Sequence, residues 1–206
     1  MGLQTNWGYS LTDAEALANM LEETEFDDLT AGKYSGDVRI ASNIKAACSA
    51  IRNYCGWHVY PSLACTFTSY MVDKRVSRVG ANLIIQLPAK YVSEVTAVRI
   101  GGTEYTTYIL ETNGILRIYA VGSYAEYVPI EIEYVAGLPD ELMDGIKELI
   151  AHRVTHALAS SAGVQSETAG GVSISYSANW INSARSTALA DDNKEVLAPY
   201  RVQGVF

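Results

Sequence analysis

Hydrophobic positions divide the chain into helical and extended stretches that follow one another in a definite order. The clearest helix covers residues 36–55, where apolar residues recur every three or four positions and form one face. That face consists of Ile40, Ile44, Ala47, Cys48, Ile51 and Cys55. Ser35 or Asp37 is expected to cap the first amides, and Gly56 is expected to end the helix.

A second long helix is predicted over residues 138–162. Pro139 suits a first helical turn, and three acidic residues follow near the positive end of the helix dipole. Its apolar side comprises Leu142, Ile146, Leu149, Ile150, Val154, Ala157 and Leu158. We expect this side to share one core with Ile44 and Ile51. A shorter helix is predicted from Leu11 to Glu23, followed by a connector over residues 26–33.

Residues 57–137 have a different character, with β-branched and aromatic residues between frequent turn signals. Strands are predicted at residues 63–72, 82–87, 92–100, 103–110, 115–120 and 127–135. The Gly-Gly and Asn-Gly pairs at 101–102 and 113–114 are typical of two-residue hairpins. Short strands at this spacing indicate a small antiparallel sandwich or barrel.

The last stretch, residues 163–206, begins with glycines and then alternates apolar residues with serines. Val172, Ile174 and Tyr176 are the apolar positions of that alternation. Isolated large side chains follow in a polar context: Trp180, Leu197, Tyr200 and Phe206. An extended arm of this kind is expected to contact other chains by strand pairing and anchor side chains. The alternative is that it folds back on its own subunit as a third helix and a capping hairpin.

Together these patterns predict an α+β fold in three parts. Residues 1–56 and 138–162 are expected to form a small helical bundle. Residues 57–137 are expected to be an inserted antiparallel β-sandwich or β-barrel module, and residues 163–206 an extended C-terminal arm.

Composition and charge limit the functions that fit. The 206 residues are 49% hydrophobic and 18% charged, which is enough for a substantial core. The net charge is −8, and residues 1–32 carry seven acidic residues and no lysine or arginine. A protein that grips nucleic acid needs a basic footprint, and this chain has no large one. The acidic segment suits a solvated face or a basic partner.

No catalytic motif appears in the sequence. His152 and His156 have the i, i+4 spacing of a metal pair, with Glu148 one turn earlier, but an HExxH pattern is missing. The three cysteines form no CxxC pair and are interpreted as buried thiols. No apolar run approaches the ~18 residues that a membrane span needs. We therefore predict no enzyme activity, no cofactor, no metal and no membrane contact.

Two sets of basic residues stand out. Arg153 falls inside the apolar stripe of the second long helix, so it either extends its charged end to water or meets a partner at a subunit interface. Lys74, Arg75 and Arg78 surround a predicted turn, where they either contact an acidic partner or nucleic acid or simply protect a sheet edge.

Several short motifs occur together in a familiar order. They are IRNYCGW at 51–57, YVAGLPDEL at 134–142, SETAGGVSISY at 166–176 and LAPYR at 197–201. In this order, with an acidic N-terminal segment and a β insertion, the chain resembles the head–tail connector (adaptor) family of tailed bacteriophages. The β insertion is longer than in the most compact members of that family.

The resemblance implies a structural virion protein, made in the host cytoplasm and located at the capsid–tail junction. It implies a ring, typically of twelve subunits, that lies beneath the portal protein and extends the DNA channel without binding DNA tightly. The next neck or tail-terminator protein would bind to this ring. Candidate contact residues are Arg153, Val172, Ile174, Tyr176, Trp180, Leu197, Tyr200, Arg201 and Phe206.

A second hypothesis is a β-sandwich module that binds a receptor or a glycan on the virion surface. Aromatic residues suited to such a site are Trp57, Tyr60, Tyr105, Tyr108, Tyr119, Tyr124 and Tyr127.

Overall fold

The structure is a computed structural model of the 206-residue chain. It describes residues 3–4, 7–13, 17–122, 124–159, 166–169, 172–175, 189 and 191–202. The chain divides into two compact units, which are treated separately below. The first contains Met1–Ala18, Cys55–Pro139 and Tyr200–Phe206, and the second contains Asn19–Tyr54 and Asp140–Pro199.

The first unit consists mainly of antiparallel strands. In chain order they are β1 Leu3–Gln4, β2 Ser10–Leu11, β3 Leu63–Tyr70, β4 Val76–Val79, β5 Asn82–Gln86, β6 Val92–Ile100, β7 Thr103–Glu104, β8 Tyr108–Glu111, β9 Ile115–Ile118 and β10 Pro129–Ala136. A 3₁₀ turn, Thr112–Gly114, joins β8 to β9. One sheet has the order β1-β2-β3-β10-β6-β7, and the other has the order β4-β5-β9-β8.

The six-stranded sheet buries one face and keeps the other polar. Along β3 and β10 alternate residues are buried, as the period of a half-buried strand requires. Tyr134 pairs with Cys65 at the centre of this buried face. On the opposite face Arg99 lies between two carboxylates, 2.8 Å from Glu131 and 2.6 Å from Glu133. The alternation therefore fixes which face of β3 and β10 is buried.

The four-stranded sheet follows the same rule. Leu83 and Ile85 of β5 are buried, and so are Leu116 and Ile118 of β9, which pair with them. The α+β prediction is confirmed, and within the described part of the chain neither sheet closes into a barrel.

The two glycine-containing turns differ from one another. Ile100 pairs with Thr103, so the predicted two-residue hairpin at 101–102 is confirmed, with both glycines at positive φ. The second turn has three residues, because Glu111 pairs with Ile115. Gly114 is required there, since its φ is 72° and a Cβ atom would collide with the carbonyl oxygen of Ala89.

The second unit contains the helices. They are α1 Glu23–Leu29, α2 Ile40–Cys55, which extends one residue into the first unit, α3 Asp144–Ala159 and α4 Asp191–Leu197. The remaining elements are two strands, β11 Ser166–Ala169 and β12 Val172–Ser175, and two 3₁₀ turns, Asp140–Leu142 and Ala198–Tyr200. The last residue of the second turn, Tyr200, belongs to the first unit. Within the described residues no helix is long and apolar enough to span a bilayer.

The two predicted long helices are present, with buried faces close to those expected. Ile44, Ile51, Ile146 and Ile150 are all buried. Leu149 is only partly buried, and Leu142 departs further, because it ends a 3₁₀ turn and its side chain is 47% exposed. Its neighbour Met143 is buried.

The N-terminal prediction is wrong for the described residues between Leu11 and Glu23. Leu11 is a fully buried strand residue, and the next amide, of Thr12, donates to the carbonyl of Ala64. The helix begins only at Glu23 and includes Phe26, which the sequence prediction had placed in a connector. Pairing with β3 offers the Leu11 backbone a partner that local helix propensity does not take into account.

A stability prediction follows from the burial of residues 44, 51, 146 and 150. We expect Ile150→Ala to lower the free energy of unfolding by about 2–5 kcal/mol, because it leaves a cavity in a closed core. Leu142→Ala is the matched control and should change it by less than about 0.5 kcal/mol, as is usual for an exposed position. Urea unfolding followed by circular dichroism measures both, and equal losses would contradict the assignment of Leu142 to the surface.

Candidate interaction surfaces

The C-terminal segment returns to its own chain. In the second unit the Tyr54 hydroxyl donates to the carbonyl of Lys194 over 3.1 Å, and Leu197 is fully buried. In the first unit the indole Nε1–H of Trp57 donates to the carbonyl of Tyr200 over 2.7 Å, and the Val202 amide donates to the carbonyl of Cys55. Residues 191–202 thus follow the folded-back alternative, with helix in place of an extended arm.

This arrangement changes the list of candidate contact residues. Leu197 serves the core of its own unit, so we no longer propose it for an interface. The Tyr200 side chain is partly exposed and Arg201 is exposed. Tyr176, Trp180 and Phe206 lie outside the described residues, and their role stays a prediction.

The middle of the predicted arm forms a hairpin, β11–β12. Its register pairs Glu167 with Ile174 and Ala169 with Val172. Among the residues that the structure describes, these two strands pair only with each other. A sheet of two strands is marginal in water, and a third strand or a packing partner normally supports it.

Helix α3 carries the candidate metal pair, His152 and His156, and the basic residue of its apolar stripe, Arg153. Arg153 is half-buried, and this burial lowers the pKa of its guanidinium. The rings of His152 and His156 meet with their Nε2 atoms 2.8 Å apart. Partial burial lowers the pKa of His156, and the His152 ring lowers it further. Within the described ranges, no group of three or more His, Cys, Asp or Glu side chains is placed to hold a metal ion.

A buried histidine that sequence reasoning passed over organises the first unit. His58 is fully buried, and its Nδ1 accepts from the Tyr9 hydroxyl over 2.7 Å. Its Nε2 donates to the carbonyl of Ala136 over 2.8 Å, and its amide donates to the Tyr9 oxygen. These bonds hold the N-terminal segment to the β-sheet. Tyr9 is 49 residues away from His58, so no local signal predicts this contact.

The predicted basic tip is largely engaged within its own unit. Arg78 donates to the carbonyls of Val121 and Gly122, and the Arg75 guanidinium lies 5.9 Å from the centre of the Phe67 ring. Arg75 is only partly exposed, whereas Lys74 is exposed. Edge protection therefore describes these residues better than a nucleic-acid contact does.

The two sheets present different outer faces. The polar face of the six-stranded sheet carries four glutamates, at 94, 104, 131 and 133, against Arg99. The outer face of the four-stranded sheet carries Ile84 and Ile109, and its charged pair, Arg117 with Glu111, is joined at 2.7 Å. One face is acidic and the other is close to neutral.

Comparison with known proteins identifies the family. A family model described as Head completion protein matches residues 20–201, which is most of the chain. The chain belongs to the head completion protein family. A search of curated proteins finds no match. The resemblance to phage head–tail connectors is thereby confirmed, and this head completion protein is a structural component of the phage virion at the head–tail junction.

The bond between Trp57 and Tyr200 generates a second prediction. Trp57→Phe removes the indole donor and leaves the Tyr200 carbonyl without it. We expect a loss of about 1–3 kcal/mol in the free energy of unfolding, together with faster proteolysis near the C-terminus. Trp7→Phe is the control, because Trp7 is only partly buried and stacks on Tyr9. A Trp57→Phe protein as stable and as protease-resistant as Trp7→Phe would contradict this role.

Proposed function

We propose that this head completion protein forms a homo-oligomeric ring, typically of twelve subunits, beneath the portal protein. The ring connects the capsid to the tail and offers a surface to the next neck or tail-terminator protein. The observation that carries the proposal is the family match over residues 20–201. The β11–β12 hairpin supports it, because in the described ranges it has no third strand, and such a pair suits pairing with another chain.

In this proposal DNA passes through the ring without being held. The chain has a net charge of −8, and its six-stranded sheet presents mainly carboxylates outward. Tight binding to DNA would require several lysines or arginines arranged to neutralise phosphates. Arg75 and Arg78 instead make contacts within the protein.

We propose no catalytic role for the chain. The cysteines are the strongest potential nucleophiles in the sequence, and all three are buried. Burial raises the pKa of Cys55 and of Cys65 to about 12 and also raises that of Cys48, so the thiols stay protonated at neutral pH. A protonated, buried thiol is a poor nucleophile.

The receptor- or glycan-binding hypothesis gains no support from the aromatic residues. Trp57 is buried, the Tyr108 hydroxyl donates to the carbonyl of Val95, and the hydroxyls of Tyr105 and Tyr124 bond to each other. Of these seven aromatic residues, only Tyr127 belongs to the exposed large side chains. We therefore keep the ring as the proposed function.

The ring itself is testable with purified portal protein. We expect the chain to bind the portal and to appear as a ring in electron micrographs, with a mass by light scattering that matches several copies per portal. Replacing residues 166–175 by a Gly-Ser segment of equal length should abolish assembly and leave the melting temperature nearly unchanged. Val38→Ser, at a highly exposed apolar position, is the control and should assemble normally. Portal that stays bare with the wild-type chain would refute the proposal.

Charge generates a separate prediction about DNA. The wild-type chain should pass unretained through a double-stranded DNA column at roughly 150 mM salt, because it lacks a basic footprint. Replacing both Glu131 and Glu133 by Lys makes the outer face of the six-stranded sheet basic and should produce retention at low salt. Retention of the wild-type chain at the higher salt would show that a phosphate-binding surface had been overlooked.

A further inference from the structure

The four-stranded sheet has two open edges that differ in their protection. Strand β4 carries Arg78 and follows Lys74 and Arg75, and charged residues on an edge discourage pairing with another chain. Strand β8 is Tyr-Ile-Leu-Glu, and its charged residue, Glu111, is bonded to Arg117. Ile109 in the middle of β8 is 52% exposed. Strand β8 is therefore the less protected of the two open edges.

The backbone of β8 has groups ready for a further strand. The amide of Tyr119 donates to the carbonyl of Thr107, which makes residues 107, 109 and 111 the ones that bond to β9. The N–H and C=O groups of Tyr108 and Leu110 therefore point away from β9. Within the described part of the chain, no hydrogen bond uses these groups.

The hairpin β11–β12 is a suitable donor for this edge. Its strands have four residues each, the same length as β8. Its apolar positions 172 and 174 alternate with serines, so one register places an apolar residue next to Ile109. The terminal strands of the six-stranded sheet, β1 and β7, have two residues each and offer too little length.

We propose that strand β12 of one copy pairs with the β8 edge of a second copy and extends its four-stranded sheet. The inference rests on the proposed ring and names the contact that closes it. Each copy carries one donor hairpin and one acceptor edge, so the contact is head-to-tail, and repeated contacts of that type form a ring when the rotation between copies closes. Charge favours the same pairing, because the hairpin has one charged residue, Glu167, and the β8 edge is neutralised by Arg117.

Disulfide trapping tests the contact directly. One protein carries Ile109→Cys, and a second, with a size tag, carries Ile174→Cys or Val172→Cys. Mixed and oxidised, they should give a tagged–untagged dimer on a non-reducing gel, which only a link between chains produces. The native thiols are buried and should not form disulfides under these conditions. Ser173→Cys is the register control, because residue 173 is out of phase with 172 and 174 in a two-residue repeat and should not link to position 109.

A charge substitution tests the same edge in assembly. Ile109→Lys should weaken self-association about tenfold or more, because it places a charge in the centre of the proposed contact. Val79→Lys is the matched control, since Val79 is 58% exposed on the opposite edge strand of the same sheet. It should assemble within about twofold of wild type. Circular dichroism and melting curves confirm that both variants fold.

The outcomes separate this inference from the ring. A ring on the portal without any link between positions 109 and 172 or 174 overturns the strand pairing and leaves the ring intact. Links between chains without a ring support the pairing and refute the ring. A single chain that carries both Ile109→Cys and Ile174→Cys provides the remaining comparison. If that chain forms the link only within a product of monomer mass, and the mixed single variants form none, the hairpin pairs with its own subunit and the proposal is overturned. The proposal is also overturned if Ser173→Cys links to position 109 as well as Ile174→Cys does. The same holds if Val79→Lys weakens self-association as much as Ile109→Lys.

Discussion

Strand β10 sets the register on which the first unit depends. It is hydrogen-bonded along its length to β3 on one side and β6 on the other, and it buries alternate residues from Ile130 to Ala136. A shift of one residue would bury Glu131 and Glu133 and expose Tyr134. Because burying two carboxylates without partners is costly, the alternation excludes a pairing shifted by one residue. Arg99 reinforces this pairing from the outer face by bonding to both glutamates.

The same unit also binds both ends of the described chain. Tyr9 bonds to His58 near the N-terminus, and Trp57 bonds to the carbonyl of Tyr200 near the C-terminus. His58 and Trp57 both lie directly after the end of α2, where Gly56 has φ 77°. Two adjacent side chains thus hold segments that are far apart in sequence. The Trp57 bond explains why Tyr200 belongs to the first unit, even though the sequence around it resembles an arm.

For a structural virion protein the surfaces matter more than any pocket. The described outer faces separate by charge, since one sheet presents carboxylates and the other presents aliphatic residues with an internally paired Arg117. A surface that repels phosphates suits a neighbour of DNA, and a neutral sheet with an unguarded edge suits a protein contact. The proposed strand pairing joins these properties to the hairpin of a neighbouring copy.

Local periodicity was sufficient to predict the two long helices, most of the strands and the Gly-Gly hairpin, because each depends on side chains close in sequence. Together with the short motifs, it was also sufficient to identify the family. Leu11, Leu142 and Leu197 show where it fails. Whether an apolar residue enters a helix, a strand or the surface depended on partners dozens of residues away, such as Ala64 for the backbone beside Leu11. Only the tertiary structure decided those contacts, because hydrogen bonds between distant segments leave no periodic trace in the sequence.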